Sequence, residues 1–481
     1  MAALLLDALS PAEQDALHQR VLHVLDSVGV GVRSERVLGV LEDGGAHVDW
    51  ERRVAKLPAE LVEACISRTP GSVLLAARDP AHDLRVGEGA PLACATDGEA
   101  SMVLDDVTGV VRAATRDDLL HFYRLFDALP ELDFVWTSIM ASDLDPVVGG
   151  LENDLLALEC TSKHVQSVVA HSPEQIPPLL ELLETIAGAS LSERPIYSSL
   201  HCPVSPLQFE GDKLDASVQL ARNGVPILLY PLPLLGTTAP MSLLGTAVVT
   251  IAEFLAGVVI FQLAAPECSL MVIATGGVGD LRTGTYLCGA PEVALLSTIC
   301  VSMIRRYGLP CVCSGISSDA KSVSFQAGAE GMMTAMAAVL AGTDALIAAG
   351  LIDGARVAST AKLILDCDSL GALRRLREFP PIDDASMLID DIEAVGPGGH
   401  FLTRRSSRER ARSGEVWRPS VFQRGSIADF ADRPLIDDAL ERARELLATH
   451  EPTPIPEDIR ADAHAALART VGPRWEGDRP R

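Results

Sequence analysis

A chain of 481 residues has room for about three domains, or for one large α/β barrel with additional elements. Hydrophobic residues make up 48% of the chain and aromatic residues only 4%, so the core must be built mainly from alanine, leucine, valine and isoleucine. The formal net charge of −25 argues against nucleic acid as a partner, since a surface that follows phosphates needs clustered lysine and arginine.

The first predicted element is a helix that begins at Pro11. Ser10 is a suitable N-cap, and Glu13 can reach back to complete a capping box. Apolar residues then recur at helical spacing. A second helix is predicted from Pro58 to Ile66.

Short apolar runs follow these helices. Ser72–Ala77 and Ala100–Leu104 are bounded by turn residues and predict hairpins that pack at the edge of the next unit. We therefore assign residues 1–112 to an N-terminal α/β extension.

From residue 113 onward, apolar strands alternate with helical segments. This alternation indicates a parallel sheet, and the number of βα units predicts a (β/α)8 TIM-like barrel over residues 113–430. The eighth strand is not evident and is placed either near Ile364–Asp366 or before Phe134. Residues 431–481 are assigned to a C-terminal helix and a mobile tail, which is rich in proline from residue 452. The seven recognisable strands are Phe134–Met140, Val165–Ala170, Ile196–Cys202, Val225–Tyr230, Ser269–Thr275, Pro310–Ser314 and Ala345–Gly350.

Two long apolar stretches, Leu243–Ala265 and Gly328–Gly350, approach the length of a membrane span. Each contains ionisable residues, Glu253 in the first and Glu330 and Asp344 in the second, and such residues are costly at bilayer depth. We interpret both stretches as buried barrel helices without membrane insertion. Their alanine and glycine content also favours packing against another subunit, so a homo-oligomer is expected.

The ten cysteines include no C-x-x-C pair. Cys311 and Cys313 lie on one predicted strand with their thiols on the same face, but no second Cys or His cluster completes a metal site. We interpret all ten as reduced thiols. The N-terminus has neither a basic segment nor an apolar run long enough for a signal peptide. The sequence thus predicts a cytoplasmic protein without a tightly bound metal.

The reacting groups of such a barrel lie at the C-terminal ends of its strands. The sequence contains no G-x-S-x-G elbow, no H-E-x-x-H motif and no P-loop. Gly276–Gly279 is superficially similar to a phosphate loop, with a simple tight loop as the alternative. Candidates at the predicted strand ends are His171, His201, Tyr230, Thr275, Asp319, Lys321 and Asp353, with Trp136 inside the first strand.

Residues 396–424 carry the most distinctive string of the chain, from Gly-Pro-Gly-Gly-His-Phe-Leu to Trp417-Arg-Pro419. This string resembles the signature of the trimethylamine methyltransferase family, whose members are corrinoid-dependent enzymes. Other blocks resemble the family in the same order, and the resemblance covers roughly residues 18–430. These blocks are Gly29–Val32, Gly44–Asp49, Leu104–Gly109 with Arg112 and Asp117–Leu119, Pro233–Gly245, Gln326–Glu330, Leu340–Gly342 and Asp353–Gly354.

The resemblance implies a methyltransferase that moves a methyl group from an amine to the cobalt(I) of a corrinoid. The corrinoid is held by a cognate corrinoid protein that docks at the barrel mouth. Trimethylamine-using members carry pyrrolysine, whereas this chain contains only the twenty standard residues. The resemblance is therefore to the non-pyrrolysine branch, which is associated with quaternary amines such as glycine betaine. A quaternary ammonium leaves as a neutral amine, so the reaction needs positioning and no general acid.

A quaternary ammonium has no hydrogen-bond donor, so its pocket is expected to offer aromatic faces or a carboxylate. Trp136 and Tyr230 are the aromatic candidates, with packing in the core or at the rim as the alternative for each. Asp319 and Glu330 are candidates to balance the charge, with a structural role in its helix as the alternative for Glu330.

The carboxylate of a betaine needs a cationic or donor partner. His201, Lys321 and His400 are the candidates, and the alternative for each is a structural side chain. Lys321 is also assigned to the catalytic group, together with Asp319. The resemblance to the family implies that its loop lies near the position that pyrrolysine occupies in trimethylamine-using members.

Gly398 and Gly399 are assigned to corrinoid binding, since consecutive glycines allow close approach of the backbone; a bare sharp turn is the alternative. The chain departs from the family just beyond them. Members often continue with a His-Thr pair, whereas this chain has Thr403–Ser407.

Two other functions stay open at this point. In the first alternative, the methyl acceptor is a folate-type or thiol carrier. Activity without any corrinoid would support it. The barrel can also bind a methylated amine without catalysis, which tight binding without turnover would support.

Overall fold

The computed structural model describes residues 2–98, 100–145, 148–168, 172–430 and 433–471. Its centre is a sheet of eight parallel strands that neighbour one another in chain order. The strands are β1 (Ala93–Cys94), β2 (Phe134–Trp136), β3 (His164–Ser167), β4 (Tyr197–His201), β5 (Ile227–Leu229), β6 (Leu270–Ile273), β7 (Cys311–Ser314) and β8 (Ala345–Ile347).

A bridge between Ala95 and Phe134 joins β1 to β2 and closes the sheet. Each strand is followed by a helix, and the predicted (β/α)8 barrel is thereby confirmed. The helices are α1 (Arg116–Ala128), α2 (Gly149–Cys160), α3 (Ile176–Ala187), α4 (Gly211–Arg222), α5 (Leu243–Ala264), α6 (Pro291–Arg306), α7 (Phe325–Ala341) and α8 (Thr360–Arg377).

The eighth strand is the first one in the chain, β1. It precedes Phe134, which was one of the two predicted positions. It also lies before residue 113, where the barrel was predicted to begin. The other alternative, Ile364–Asp366, is wrong because these residues lie within α8. A strand of two residues shows no alternation, so its sequence carried no signal.

Six of the seven predicted strands extend too far at their C-terminal ends, and the strand predicted over Pro310–Ser314 ends at Ser314, as β7 does. The residues beyond β2, β6 and β8 are loops that surround the barrel mouth, because apolar and small residues continue past the last paired residue. For the strand predicted over Val165–Ala170, β3 ends at Ser167, and Val169 and Ala170 lie outside the described residues.

The barrel interior is filled from two sources. Small and aliphatic side chains point inward from the strands, together with Phe134 and Trp136. The N-terminal hairpin Ser72–Leu75 with Leu84–Gly87 contributes Val73, Leu75 and Val86 to the same cluster. The predicted hairpin therefore forms a plug in the interior, as a barrel core needs filling rather than a pore.

The N-terminal helices cover α5. Helices Pro11–Ser27, Glu35–Asp43 and Ala59–Arg68 all pack against it, and the middle one was not predicted. Ser10 and Glu13 form the predicted capping box. A small sheet of Val30–Val32, His47–Asp49, Val54–Lys56 and Gln208–Phe209 completes this part.

Helix α5 is the one helix of the described residues that is long and apolar enough to cross a membrane. Of its most apolar window, 72% is buried inside the fold, which marks it as a core helix. The second apolar stretch, Gly328–Gly350, is not a single helix: it contains most of α7, a turn at Gly342 and β8. The surface of α5 that was expected to meet another subunit is therefore covered by the chain itself.

Glu253 of α5 is fully buried and holds the loop after β4. Its carboxylate accepts hydrogen bonds from Leu207 N and Ser205 Oγ, both at 2.8 Å. Burial nevertheless raises the pKa of Glu253 from 4.5 to about 7. Between these two pH values the folded protein retains a proton that the unfolded chain has lost, so stability falls as the pH rises through this window.

We expect Glu253→Gln to stabilise the protein at pH 8, by up to about 3 kcal/mol, because the amide removes the cost of a buried charge. The advantage should shrink towards pH 4.5. Thermal denaturation of both proteins across this range measures the difference. Glu51→Gln, at an exposed position, serves as the control. A constant difference between wild type and Glu253→Gln across the range would contradict the assignment.

Two small sheets flank the barrel mouth. Leu234–Leu235 pairs with Gly277–Asp280, which forms a hairpin with Thr285–Leu287. The second sheet consists of Met102–Leu104, Val111–Ala113, Leu351–Ile352 and Val357–Ala358. The first two of its strands form the predicted hairpin after β1.

After α8 the chain leaves the barrel at the end opposite the mouth. Arg374 and Arg377, at the end of α8, contact Leu92, Asp133 and Thr343, which precede strands β1, β2 and β8. Glu378–Phe379 pairs with Ala2–Ala3 at this end. Residues 380–416, which we name the arm, follow with short helices at Asp384–Met387, Ile389–Val395 and Arg405–Ser413.

The chain returns to the barrel at Trp417, which packs over Gly371 of α8. Helix Leu435–Thr449 packs on α1 and α8. The segment from residue 452, predicted as a mobile tail, contains a helix at Glu457–Val471 that packs on α3 and buries Leu467. Short 3-10 turns lie at Pro80–His82, Pro173–Gln175 and Ile427–Asp429.

Candidate active site at the barrel mouth

A cavity of about 390 Å3 lies at the carboxyl ends of the barrel strands. Its lining comes from the loops after β1, β5, β6 and β7, and on one side from β4 and α4. This is where reacting groups lie in barrels of this kind. The polar residues that line its mouth side are Asp97, Tyr230, Tyr286, Cys288, Ser314 and Ser317.

Asp97 places a buried carboxyl group in this cavity. It lies in the loop after β1, beyond Ala95, which is held by its bridge to Phe134. Its Oδ1 accepts a hydrogen bond from Gly98 N at 2.5 Å, and its Oδ2 accepts one from Ser314 Oγ at 3.2 Å. The side chain is therefore held by its own loop and by β7, which is separated from β1 only by β8 in the sheet.

Two tyrosines share the cavity with Asp97. The backbone of Tyr230 is fixed by a hydrogen bond from its N to the carbonyl oxygen of His201, at 3.0 Å. Tyr286 lies on the hairpin after β6, and a Cβ on Gly277 would come within 2.5 Å of its ring, so only glycine fits beneath it. Burial raises the pKa of both phenols well above the ordinary value, and the charge of Asp97 adds to this. Both phenols are therefore neutral.

Asp319 and Glu330 hold the loops together beside the cavity. Asp319 accepts hydrogen bonds from Cys288 N at 2.9 Å and Gly289 N at 3.0 Å. Glu330 accepts from Ser318 Oγ at 2.6 Å and from Asp319 N at 2.9 Å. The two carboxylates thus tie the loop after β7 to the hairpin after β6, and neither is among the lining residues of the cavity.

Cys288 also lines this cavity, and its thiol is not ionised. Burial raises the pKa of Cys288 to about 12, and the charge of Asp319 contributes. A thiol that stays protonated is a poor nucleophile. The cavity therefore offers a carboxylate, aromatic rings and neutral polar groups, which is a set suited to holding an organic cation.

Comparisons with known proteins identify the chain. The model of the family described as trimethylamine methyltransferase matches residues 3–471. The chain belongs to this family. It is accordingly a methyltransferase, and the resemblance carried by the sequence motifs is confirmed.

Curated relatives of this methyltransferase cover nearly its whole length. A trimethylamine methyltransferase of Desulfitobacterium hafniense (strain DSM 10664 / DCB-2) is 28% identical over 97% of this chain and 94% of its own. One from Methanosarcina thermophila is 27% identical over 96% of each chain. A glycine betaine methyltransferase of Desulfitobacterium hafniense (strain Y51) is also 27% identical over 96% of each chain.

A solved structure shows the same fold. The crystal structure of the Methanosarcina barkeri monomethylamine methyltransferase matches with a TM-score of 0.53 at 11% identity, covering 96% of this chain and 88% of that one. At this identity the likeness concerns the fold alone.

Within this methyltransferase, the predicted site residues fall into separate places. Tyr230 and His201 line the cavity. Trp136 is fully buried in the barrel interior and does not line it. The side chain of Lys321 is 71% exposed and forms an ion pair with Asp353 outside the cavity lining. His171 lies outside the described residues.

His201 cannot supply a positive charge to a substrate carboxylate. Burial lowers the pKa of His201 to about 4, so the imidazole is neutral. The ring stacks on Phe209 at a centroid distance of 5.8 Å, and Nδ1 lies 3.0 Å from Ser217 Oγ of α4. It thus packs on the outer face of β4, at the side of the cavity formed by α4.

Gly398, Gly399 and His400 lie in the arm and are exposed. The arm leaves from the end of α8, opposite the barrel mouth, and none of these three residues is among those that line the cavity. Their assignment to the corrinoid and the substrate rested on their place in a distinctive string, and that string carries no information about the distance to the mouth.

Asp97 and Tyr286 were not among the predicted site residues. Asp97 follows a strand too short to be recognised, and the only signal was an Asp-Gly pair after an apolar run. Tyr286 sits on a hairpin inserted between β6 and α6, which a simple alternation of strands and helices does not reveal.

Proposed function

We propose that this methyltransferase demethylates a small quaternary amine and passes the methyl group to the cobalt(I) of a corrinoid carried by a separate protein. The observation that carries the proposal is the buried carboxyl group of Asp97 in one cavity with the rings of Tyr230 and Tyr286. The glycine betaine methyltransferase among its relatives supports the same class of substrate.

The cavity performs this reaction by positioning. The carboxylate and the ring faces stabilise the trimethylammonium group and hold one N–CH3 bond towards the open mouth. Bond cleavage leaves the electron pair on nitrogen, and the product is a neutral tertiary amine. No proton is needed, which agrees with the neutral phenols and the protonated thiol of Cys288. The corrinoid, when its protein docks, supplies the cobalt that accepts the methyl group.

The carboxylate of a glycine betaine-like substrate would turn towards α4. Lys213 is the cationic residue among the described lining residues, and its Nζ lies 2.9 Å from Glu210 Oε2. This lysine takes the place of His201, Lys321 and His400, which were the sequence-based candidates.

A panel of substrates tests the proposal. The chain is mixed with reduced cobalamin and, separately, with glycine betaine, choline, carnitine or trimethylamine, and methylation of cobalt is followed by absorbance. We expect activity with at least one quaternary amine and none with trimethylamine. Activity with a thiol or folate acceptor, and none with reduced cobalamin, would show that the acceptor is not a corrinoid. Binding of a quaternary amine without turnover under any condition would indicate a non-catalytic barrel.

The exposed side chains around the barrel mouth support the proposal that a partner protein docks there. Large apolar side chains are exposed after four different strands, in the loops and in the first turns of the helices that follow, and exposed clusters of this kind mark interaction sites. The ten cysteines, all within the described residues, are not joined by disulfides. We place the reaction in the cytoplasm, where thiols are kept reduced. The apolar rim residues are Met140, Met241, Leu244, Leu281, Leu295 and Phe325.

We expect Phe325→Asp to weaken methyl transfer to the corrinoid protein by about tenfold or more, because a charge replaces an apolar contact in the docking surface. Phe325 is 92% exposed at the start of α7, so the fold loses no core contact. Transfer to free reduced cobalamin should not change. Ile427→Asp, at a residue 91% exposed outside the strand-following loops, is the matched control. Equal loss with both acceptors would contradict a docking role.

A further inference from the structure

The cavity at the barrel mouth continues around the end of β4 and has a second part beside α4. Leu200 of β4 packs on the interior cluster of the barrel, so its neighbours Ser199 and His201 point to the opposite face of the sheet. The hydrogen bond between His201 and Ser217 shows that this face meets α4. All four residues line the cavity. We name the part between β4 and α4 the α4 lobe, and the part that contains Asp97 the mouth lobe.

One face of α4 forms the helix side of the α4 lobe. The residues of this face, which recur at a spacing of three or four and line the cavity, are Lys213, Ala216, Ser217 and Leu220. Ala216 and Leu220 make most of this side apolar. Lys213 belongs to the first turn of α4, which follows the loop after β4, and so lies at the end of the lobe nearest the mouth. The α4 lobe is therefore apolar on its helix side, with a cationic group at its entrance.

The strand side of the α4 lobe carries two polar groups that the described residues leave unpaired. Ser199 is 3% exposed, yet its hydroxyl group has no hydrogen-bond partner among the residues that the structure describes. Nε2 of His201 is also buried and without a partner in the described part of the chain. Buried polar groups in folded proteins are nearly always paired. Two unpaired groups on one face of a strand, beside a cavity, therefore point to a bound molecule that completes them.

The hydrogen bonds of Ser217 determine which nitrogen of His201 carries the proton. The Ser217 hydroxyl donates to the carbonyl oxygen of Lys213 at 2.9 Å, a bond that serine commonly makes within a helix. Its oxygen, 3.0 Å from Nδ1 of His201, is then the acceptor, so the proton of the neutral ring is on Nδ1. Nε2 therefore keeps its lone pair, which accepts hydrogen bonds and repels anions. The strand side of the lobe suits a hydrogen-bond donor and disfavours a carboxylate.

We propose that the α4 lobe binds the part of the substrate beyond the ammonium group, and that this part carries a hydroxyl group. The inference rests on the proposed function, since the mouth lobe must hold the quaternary ammonium group beside Asp97. A hydroxyl group supplies both the donor and the acceptor that the strand side lacks, and its carbon chain packs on Ala216 and Leu220. A second ammonium group would instead lie near the charge of Lys213. A carboxylate, where the substrate has one, stays at Lys213.

The first test compares two pairs of ligands whose members differ only by a hydroxyl group. Carnitine is paired with γ-butyrobetaine, and choline with ethyltrimethylammonium. The dissociation constant of each ligand from the full chain is measured by calorimetry. We expect the hydroxylated member of each pair to bind about tenfold more tightly or better, because a site built to hydrogen-bond a hydroxyl group rejects the analogue that lacks it. Equal binding within the pairs would overturn the inference.

The second test removes the hydroxyl group on the strand side. In Ser199→Ala the ratio of the two dissociation constants in each pair should fall by about fivefold or more, because the substrate hydroxyl loses its partner. The variant should fold as the wild type does, since the Ser199 hydroxyl has no partner in the described residues to lose. Ser302→Ala, at a buried serine of α6 that does not line the cavity, is the matched control and should keep the wild-type ratio. An unchanged ratio in Ser199→Ala would overturn the assignment of the lobe.

Tetramethylammonium distinguishes a failure of this inference from a failure of the proposed function. It carries the quaternary ammonium group and nothing that reaches the α4 lobe. Binding of tetramethylammonium that is lost in Asp97→Asn, together with equal binding within the two pairs, would overturn the inference and retain the proposed function. No binding of tetramethylammonium or of any of the four paired ligands would overturn both.

Discussion

Asp97→Asn is expected to lower methyl transfer from a quaternary amine by about a hundredfold or more. Removing one partner of a buried charge pair costs about 2–5 kcal/mol, and about 3 kcal/mol corresponds to a hundredfold. The asparagine retains the size of the side chain and an oxygen that can accept from Ser314 Oγ. The loss should appear in substrate binding, measured by calorimetry, and in turnover with reduced cobalamin.

A pair of tyrosine variants separates the charge of the cavity from its aromatic faces. Tyr286→Phe keeps the ring and should change binding by less than about threefold, whereas Tyr286→Leu removes the ring face and should weaken it by about fivefold or more. Equal binding by wild type and Asp97→Asn would contradict the role of the carboxylate. Equal effects of the two tyrosine variants would contradict the role of the ring.

The sequence was sufficient for the barrel because long βα units leave strong signals. Apolar runs such as the one around β5 and the long helix α5 have both length and composition in their favour. Strand β1 has neither: it consists of Ala93 and Cys94 and is held by its neighbours in the closed sheet. Its existence follows from barrel closure, which is a tertiary property.

The site was predictable only where a residue ended a recognisable strand. Tyr230 follows β5 and lies in the cavity. Lys321 and Asp319 follow β7, but their loop continues away from the cavity: Asp319 holds backbone N–H groups and Lys321 pairs with Asp353 at the surface. A position after a strand therefore limits a residue to one end of the barrel, while the path of the loop decides whether it faces the substrate.

Burial excludes the roles that were predicted for two further candidates, His201 and Trp136. His201 lines the cavity, yet burial makes it neutral, and its ring packs against Phe209 from the loop after β4 and Phe261 from α5. Trp136 ends β2 with its ring pointing into the filled interior rather than the mouth. Neither the neutral imidazole nor the depth of the tryptophan can be read from local sequence, because both follow from packing across the barrel.

The loops that shape the cavity depend on one buried ion pair. Lys362 Nζ, at the start of α8, donates to the carbonyl oxygen of Ile316 at 2.8 Å and to Asp366 Oδ2 at 2.6 Å. Asp366 Oδ2 in turn accepts from Gly350 N at 2.8 Å. Both charged side chains are almost completely buried. The pair therefore ties the loop after β7 to the loop after β8.

We expect Lys362→Met to destabilise the protein by about 3–5 kcal/mol, because it leaves a buried carboxylate without its counter-charge. The unfolding entropy is about 2.1 cal/mol/K per residue, so for a chain of this length the Tm should fall by about 1 °C for each kcal/mol. Calorimetry measures the shift. Methyl transfer should also decrease below the Tm, since Ser317, one residue after Ile316, lines the cavity.

The double variant Lys362→Met with Asp366→Leu distinguishes a lost charge pair from a lost packing contact. Removing both charges avoids the buried carboxylate, so the double variant should be more stable than Lys362→Met alone. Arg356→Met, at an exposed residue that pairs with Asp353 in the same region, is the control and should shift the Tm by less than about 1 °C. A double variant less stable than the single one would show that Asp366 stabilises the loops through Gly350 N alone.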